Sequence, residues 1–172
     1  MSNFLSNLVE VSGNENASSV DKGLVSDIRG FIDTGSYTLN ALLSGSLYGG
    51  IPDNKITALA GEQATGKTFF CFNILKTFLA DNPDGVVLYF DSEQAITSQM
   101  FSERDIDPSR VAVLPVSTIE EFRHQMIQVA DTYRAETDKK PILVILDSLG
   151  NLSTLKEMED TASGKNVRDM TK

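Results

Sequence analysis

Cysteine and histidine each occur once, at Cys71 and His124, and tryptophan is absent. One cysteine cannot close an intrachain disulfide, and the two residues are too few for a zinc cluster, so a reducing compartment is expected. Positive charge is scarce as well. Fifteen Lys and Arg stand against 24 Asp and Glu, a formal net charge of −9, which argues against a surface that tracks nucleic acid throughout and leaves room for a local basic loop. No apolar run approaches the roughly 20 residues of a membrane span. The start "MSNFLSNLVE" lacks the basic and then long apolar pattern of a secretory leader. These absences predict a soluble, cytoplasmic chain with no membrane partner.

What is present suits one cored domain and a tail: 172 residues, 41% of them hydrophobic. Phe4, Leu5, Leu8, Val9 and Val11 recur at helical spacing, which predicts a short amphipathic segment free to dock elsewhere, a neighbouring subunit included. Residues 12–23, "SGNENASSVDKG", carry too few apolar groups to offset their ordering entropy and read as a linker. Residues 1–27 therefore form an N-terminal segment, and globular composition runs from 28 to 172.

Within that part, "ITALAG" (56–61), "VVLYFD" (86–91), "VAVLPV" (111–116) and "ILVILD" (142–147) are continuous apolar runs separated by helical patterns. Such runs predict parallel strands covered on both faces, an α/β fold. The helix before the last run has N-caps in Ser117 and Thr118, Glu120 and Glu121 to follow, and a stripe of Ile119, Phe122, Met126, Val129 and Tyr133. His124 lies off that stripe, a solvated position. "KTFFCFNILKTFLAD" has hardly any polar face, so a buried helix is expected there, with Cys71 as a small core residue. "SLYGGIP" (46–52) reads as a loop feeding the first strand.

"GEQATGKT", Gly61, Glu62, Gln63, Ala64, Thr65, Gly66, Lys67 and Thr68, fits G-x-x-x-x-G-K-[ST], with a strand pattern leading in and a helix pattern leading out. Glycines let backbone N–H groups curl around an anion, and the helix N-terminus adds partial positive charge. Lys67 reaches the outer phosphates, and the Thr68 hydroxyl suits magnesium. A nucleoside triphosphate is the expected ligand. In an open α/β sheet ligands bind beyond the carboxyl ends of the strands. Asp147 ends one apolar run, where a phosphate-loop enzyme supports its magnesium through water, and Ser148 comes next. Asp91, Ser92 and Glu93 end another. Glu93 is placed to accept a proton from the water attacking the γ-phosphate, which predicts a hydrolase rather than a kinase.

"TGSYTLNALLSGSLYGGIPDNKITALAGEQATGKT", "YFDSEQAIT", "IDPSRV" and "ILVILDSLGNL" together resemble the core ATPase of RecA-type recombinases, from about Thr34 to Lys172, and look most like its T-even-phage branch. The resemblance implies a RecA-like core using ATP and Mg2+. It also implies a homo-oligomeric filament on single-stranded DNA that pairs with homologous duplex DNA, with loader and single-strand-binding proteins as partners. Mapped onto this chain, Gly61 to Thr68 would bind ATP, Glu93 would activate water, Asp147 would support the metal and Ser148 would couple the γ-phosphate to the segment behind it. That segment would lead into a DNA-facing loop near Lys156 and Lys165, although Glu157, Glu159 and Asp160 oppose phosphate binding there. Thr97 would touch the base edge. Met100 stands where the family often stacks an aromatic on adenine.

The resemblance further implies a strand between residues 56–61 and 142–147 that this chain does not supply. Each unsatisfied backbone group at such a gap would cost about 1 to 3 kcal/mol against a stability of roughly 5 to 15 kcal/mol. A fragment, aggregation-prone alone and weak as an ATPase, is therefore expected. Two other readings stay open: a RecA-like hexameric helicase, and a non-hydrolysing ATP-binding assembly or mediator protein.

Overall fold

The computed structural model describes residues 3–15, 17–24 and 26–164. The chain divides into two compact units, Met1–Leu59 and Ala60–Lys172. In the first, helix α1 (Asn3–Val11) leaves Phe4, Leu8 and Val11 exposed, which is the amphipathic segment expected. Strand β1 (Phe31–Ile32) pairs antiparallel with β2 (Ile51–Pro52) around helix α2 (Tyr37–Ser44). Two-residue strands leave no alternation to read, so this hairpin was not anticipated.

The "TGS" element has a local cause. Ser36 caps α2 by accepting from the Leu39 N–H, and the buried Thr34 donates both its N–H (3.0 Å) and its hydroxyl (2.7 Å) to Asn40 Oδ1. Asn40 Nδ2 in turn donates to Asp33 Oδ1 (2.8 Å) and Leu47 O (3.0 Å), so this fully buried amide has its hydrogen-bonding capacity used. Gly50, with φ of +142°, has no room for a Cβ, which would lie 1.9 Å from Ile32 O.

The second unit is a parallel sheet in the order β4–β3–β5, formed by β3 (Val86–Asp91), β4 (Val111–Pro115) and β5 (Ile142–Asp147). The fold is α/β. Side-chain alternation divides the sheet into two faces. Helix α3 (Lys67–Asp81) covers one face, where Phe72 meets Tyr89 at 5.9 Å between ring centroids and Leu75 is fully buried. Helix α5 (Ile119–Ala135) covers the other, where Phe122 packs edge-on against Phe90 at 5.0 Å, beside Val116 and Leu152. Thr118 accepts from the Glu121 N–H as the N-cap of α5, and His124 is exposed.

Two expectations need correction. Residues 56–61 pair with no strand among the described residues, and the Ile56 side chain is fully exposed. An extended apolar segment becomes a strand only where a neighbour completes its ladder, and the outer edge of β5 carries no further strand among the described residues. The segment read as a loop around Lys156 is instead helix α6 (Leu155–Ala162). Its start is a capping box: Thr154 accepts from the Glu157 N–H, and the Glu157 carboxylate accepts from the Thr154 N–H.

Candidate nucleotide-binding site

The parallel register sets Asp91 opposite Asp147, so β3 and β5 end together. The residues just past one aspartate therefore meet those just past the other. Ser92 Oγ donates to Ser148 O (2.9 Å) and accepts from the Ser148 N–H (2.8 Å), while Asn151 Nδ2 donates to Ser92 O (3.0 Å). Ser148 Oγ approaches Glu93 Oε1 at 3.5 Å. The Asp147–Ser148 peptide is cis. Asp91 is buried and accepts from the N–H groups of Glu93 (3.1 Å) and Ile96 (3.0 Å), which folds the turn that presents Glu93.

Across from these strand ends lies the loop before α3. Gly66 adopts φ of +92°, a left-handed conformation open to glycine at little cost, and as N-cap it supplies no side-chain bond to the helix. The first-turn N–H groups of α3 are thus left for an outside acceptor. Lys67 Nζ donates to Gly61 O (2.9 Å) and Glu62 O (2.8 Å), and Thr65 Oγ1 donates to Glu62 O (2.8 Å). Thr68 Oγ1 donates to Asp147 Oδ2 at 2.6 Å, joining loop to sheet across 79 positions of sequence.

A cleft of about 530 Å³ lies between loop and strand ends. Gln63, Ala64, Gly66, Lys67 and Thr68 line one side of it, and Glu93, Asp147 and Ser148 the other. Gly150 and Asn151 complete the lining; neither was singled out in the sequence, although a polar side chain four residues past a strand-ending aspartate was a usable signal. Gly61, Glu62 and Thr65 shape the loop without lining the cleft. Thr97 is the exposed N-cap of helix α4 (Ser98–Ser102) and Met100 is half-buried within it; neither lines the cleft. The neighbouring Phe101 is core, 5.1 Å from the Phe72 ring. Lys156 is exposed on α6, away from the lining, and Lys165 lies outside the described residues.

The donor set fits a hard cation bound together with phosphate. Thr68 and Asp147 offer oxygen ligands only, and no group of three His, Cys, Asp or Glu that could cage a metal occurs among the described residues. Magnesium is commonly held this way, by one or two protein oxygens plus substrate phosphates. Lys67, folded onto two carbonyls, has an ammonium free to exchange those acceptors for phosphate oxygens. Beneath the site, burial first and the nearby Asp147 charge second push the Cys71 thiol up to about 11. Burial, with the hydrogen bond to Asp147 next, also raises the Tyr89 phenol, which stays a neutral donor. No helix among the described residues is long and apolar enough to cross a membrane.

No protein-family model matches the chain. It is 31% identical over all 172 residues to the recombination and repair protein of Enterobacteria phage T4, covering 43% of that protein. With Protein RecA of Malacoplasma penetrans it shares 28% identity over 153 residues, 83% of this chain and 44% of that one. With the DNA repair and recombination protein RadB of Thermoplasma acidophilum it shares 28% over 129 residues, 75% of this chain and 53% of the other. The chain thus spans about half the length of these relatives or less. In sequence, it is similar to RecA-like recombination and repair proteins.

Proposed function

We propose that this chain is the ATP-binding and ATP-hydrolysing core of a DNA recombinase that assembles as a filament on single-stranded DNA and pairs it with homologous duplex, in the cytoplasm of a phage-infected bacterium. The observation that supports this most is the grouping of Lys67, Thr68, Glu93 and Asp147 around one cleft in a chain related over its full length to a phage recombination and repair protein. In this reading the loop from Gly61 to Thr68 wraps the phosphates with its N–H groups, and Lys67 leaves the Gly61 and Glu62 carbonyls for the outer phosphates. Thr68 and Asp147 hold the metal side of the nucleotide. Magnesium, when bound, neutralises charge on the phosphate oxygens.

Glu93 takes a proton from the attacking water as its oxygen bonds to the γ-phosphorus and the bond to the β,γ-bridging oxygen breaks, releasing ADP and phosphate. Ser148, joined to both strand ends through Ser92, passes the state of the γ-phosphate toward Asn151 and α6. The exposed apolar side chains of α1 dock on a neighbouring subunit.

Hydrolysis measured with magnesium and single-stranded DNA tests this. Lys67→Ala should weaken nucleotide binding by about tenfold or more through a lost charge-assisted contact. Glu93→Gln should bind nucleotide within roughly twofold of the unsubstituted chain yet hydrolyse it about 10² to 10⁴ times more slowly. Unchanged hydrolysis in Glu93→Gln would remove Glu93 as the general base, whereas nucleotide binding without any hydrolysis in the unsubstituted chain would leave the non-hydrolysing assembly protein as the better reading.

A further inference from the structure

Asp147 Oδ2 accepts two side-chain hydroxyls, Thr68 Oγ1 at 2.6 Å and Tyr89 OH at 2.8 Å, while among the described residues no hydrogen bond reaches Oδ1. Thr68 belongs to the phosphate loop, but Tyr89 comes from inside β3, two residues before its end, with no exposed surface. We propose that Tyr89 is a positioning residue for the cation side of the cleft: its hydroxyl holds Asp147 in one orientation, so that Oδ1 faces the hydration shell of a nucleotide-bound magnesium ion. This rests on the nucleotide-binding reading above.

The geometry explains why a tyrosine is needed there. β3 and β5 are adjacent and in register, so Tyr89 stands opposite Ile145 and its phenol reaches along the sheet to the aspartate two residues further on. The ring is clamped by Phe72 at 5.9 Å, which leaves the hydroxyl little freedom of its own. A half-buried carboxylate with a single donor can rotate and share its charge between its oxygens. Two donors on one oxygen remove that rotation and leave the second oxygen free. A water-mediated ligand contributes mainly through its orientation, and partners that orient ligands typically affect metal affinity by 10- to 100-fold.

Tyr89→Phe keeps the ring and removes only the bond. Binding of a fluorescent ATP analogue to the full chain, titrated with MgCl2 and repeated in EDTA, separates the outcomes. The magnesium concentration for half-maximal enhancement of binding should rise about tenfold, while affinity in EDTA stays as in the unsubstituted chain. A packing defect would lower binding in both conditions. In an Asp147→Asn background, Tyr89→Phe should have no further effect, because the partner it orients is gone. An unchanged or lower magnesium requirement in Tyr89→Phe, an equal loss in EDTA, or additivity with Asp147→Asn overturns the assignment. Failure of the nucleotide reading is distinct: the unsubstituted chain would bind no analogue, or Lys67→Ala would bind it equally well.

Discussion

Asp91 and Asp147 end neighbouring strands in the same register, and their surroundings separate their duties. Asp91 is buried and bonded to backbone N–H groups, so it shapes a turn; Asp147 is half-buried and bonded to hydroxyls at the edge of a cleft. Cys71, one turn into α3, is held protonated by burial first and by the charge of the same aspartate second. With its thiol pushed up to about 11 from an ordinary value of 9.0, its reaction with iodoacetamide at pH 8 should run about a hundredfold slower than that of a free thiol, since only the thiolate attacks. The folded chain also keeps this proton to higher pH than the unfolded chain. Cys71 therefore lowers stability as pH rises from about 9 to about 11, and Cys71→Ala should flatten that part of a melting-temperature profile. Lys67, Thr68, Glu93 and Asp147 were legible from sequence because each stands at a fixed offset from a glycine or a strand end. The bond of Ser92 to Ser148 and that of Tyr89 to Asp147 were not, since the partners lie 56 and 58 positions away.

Helix α3 shows how one element is shaped for its position at both ends. Its N-terminus carries no side-chain cap beside the cleft, and its C-terminus is tied by Arg110, whose Nε donates to Gly85 O (3.0 Å), Nη1 to Leu79 O (3.1 Å) and Nη2 to Asn82 O. Three carbonyls around one guanidinium need its planar fork. Arg110→Ala should cost about 2 to 3 kcal/mol, read by urea denaturation, and Arg110→Lys should recover only part of it. α3 buries Phe72, Ile74, Leu75, Phe78 and Leu79 as its composition implies, but Phe69 is 55% exposed next to the loop. α6 could have been read from Thr154 and Glu157, whose spacing is that of a capping box, had the family resemblance not implied a loop there. Residues 56–61 could not, because a strand pattern states what a segment can pair with and not whether a partner is there.

At the scale of the chain, the nucleotide reading concerns the second unit: every residue lining the cleft falls within Ala60–Lys172. Nucleotide should then stabilise that unit by mass action. At magnesium-ATP one hundred times its dissociation constant, about 2.7 kcal/mol is expected, a rise of roughly 5 to 10 °C in melting temperature. With a tenfold loss of affinity, Lys67→Ala should remove about half of that rise, and an equal rise in the variant would show that the ligand binds elsewhere.

Alternation, helical stripes, the phosphate-loop spacing and strand-terminal acids are local signals, because backbone geometry imposes periods and offsets on a few neighbouring residues. They were enough for the α/β class, three of the four expected strands and the main site candidates. Folding alone settled that β3 and β5 run side by side in register, that Asp147 receives two hydroxyls on one oxygen, and that residues 56–61 meet no partner strand among the described residues. Each of those depends on which distant segment arrives as a neighbour, and hydrogen-bond ladders and buried polar pairs exist only once it has.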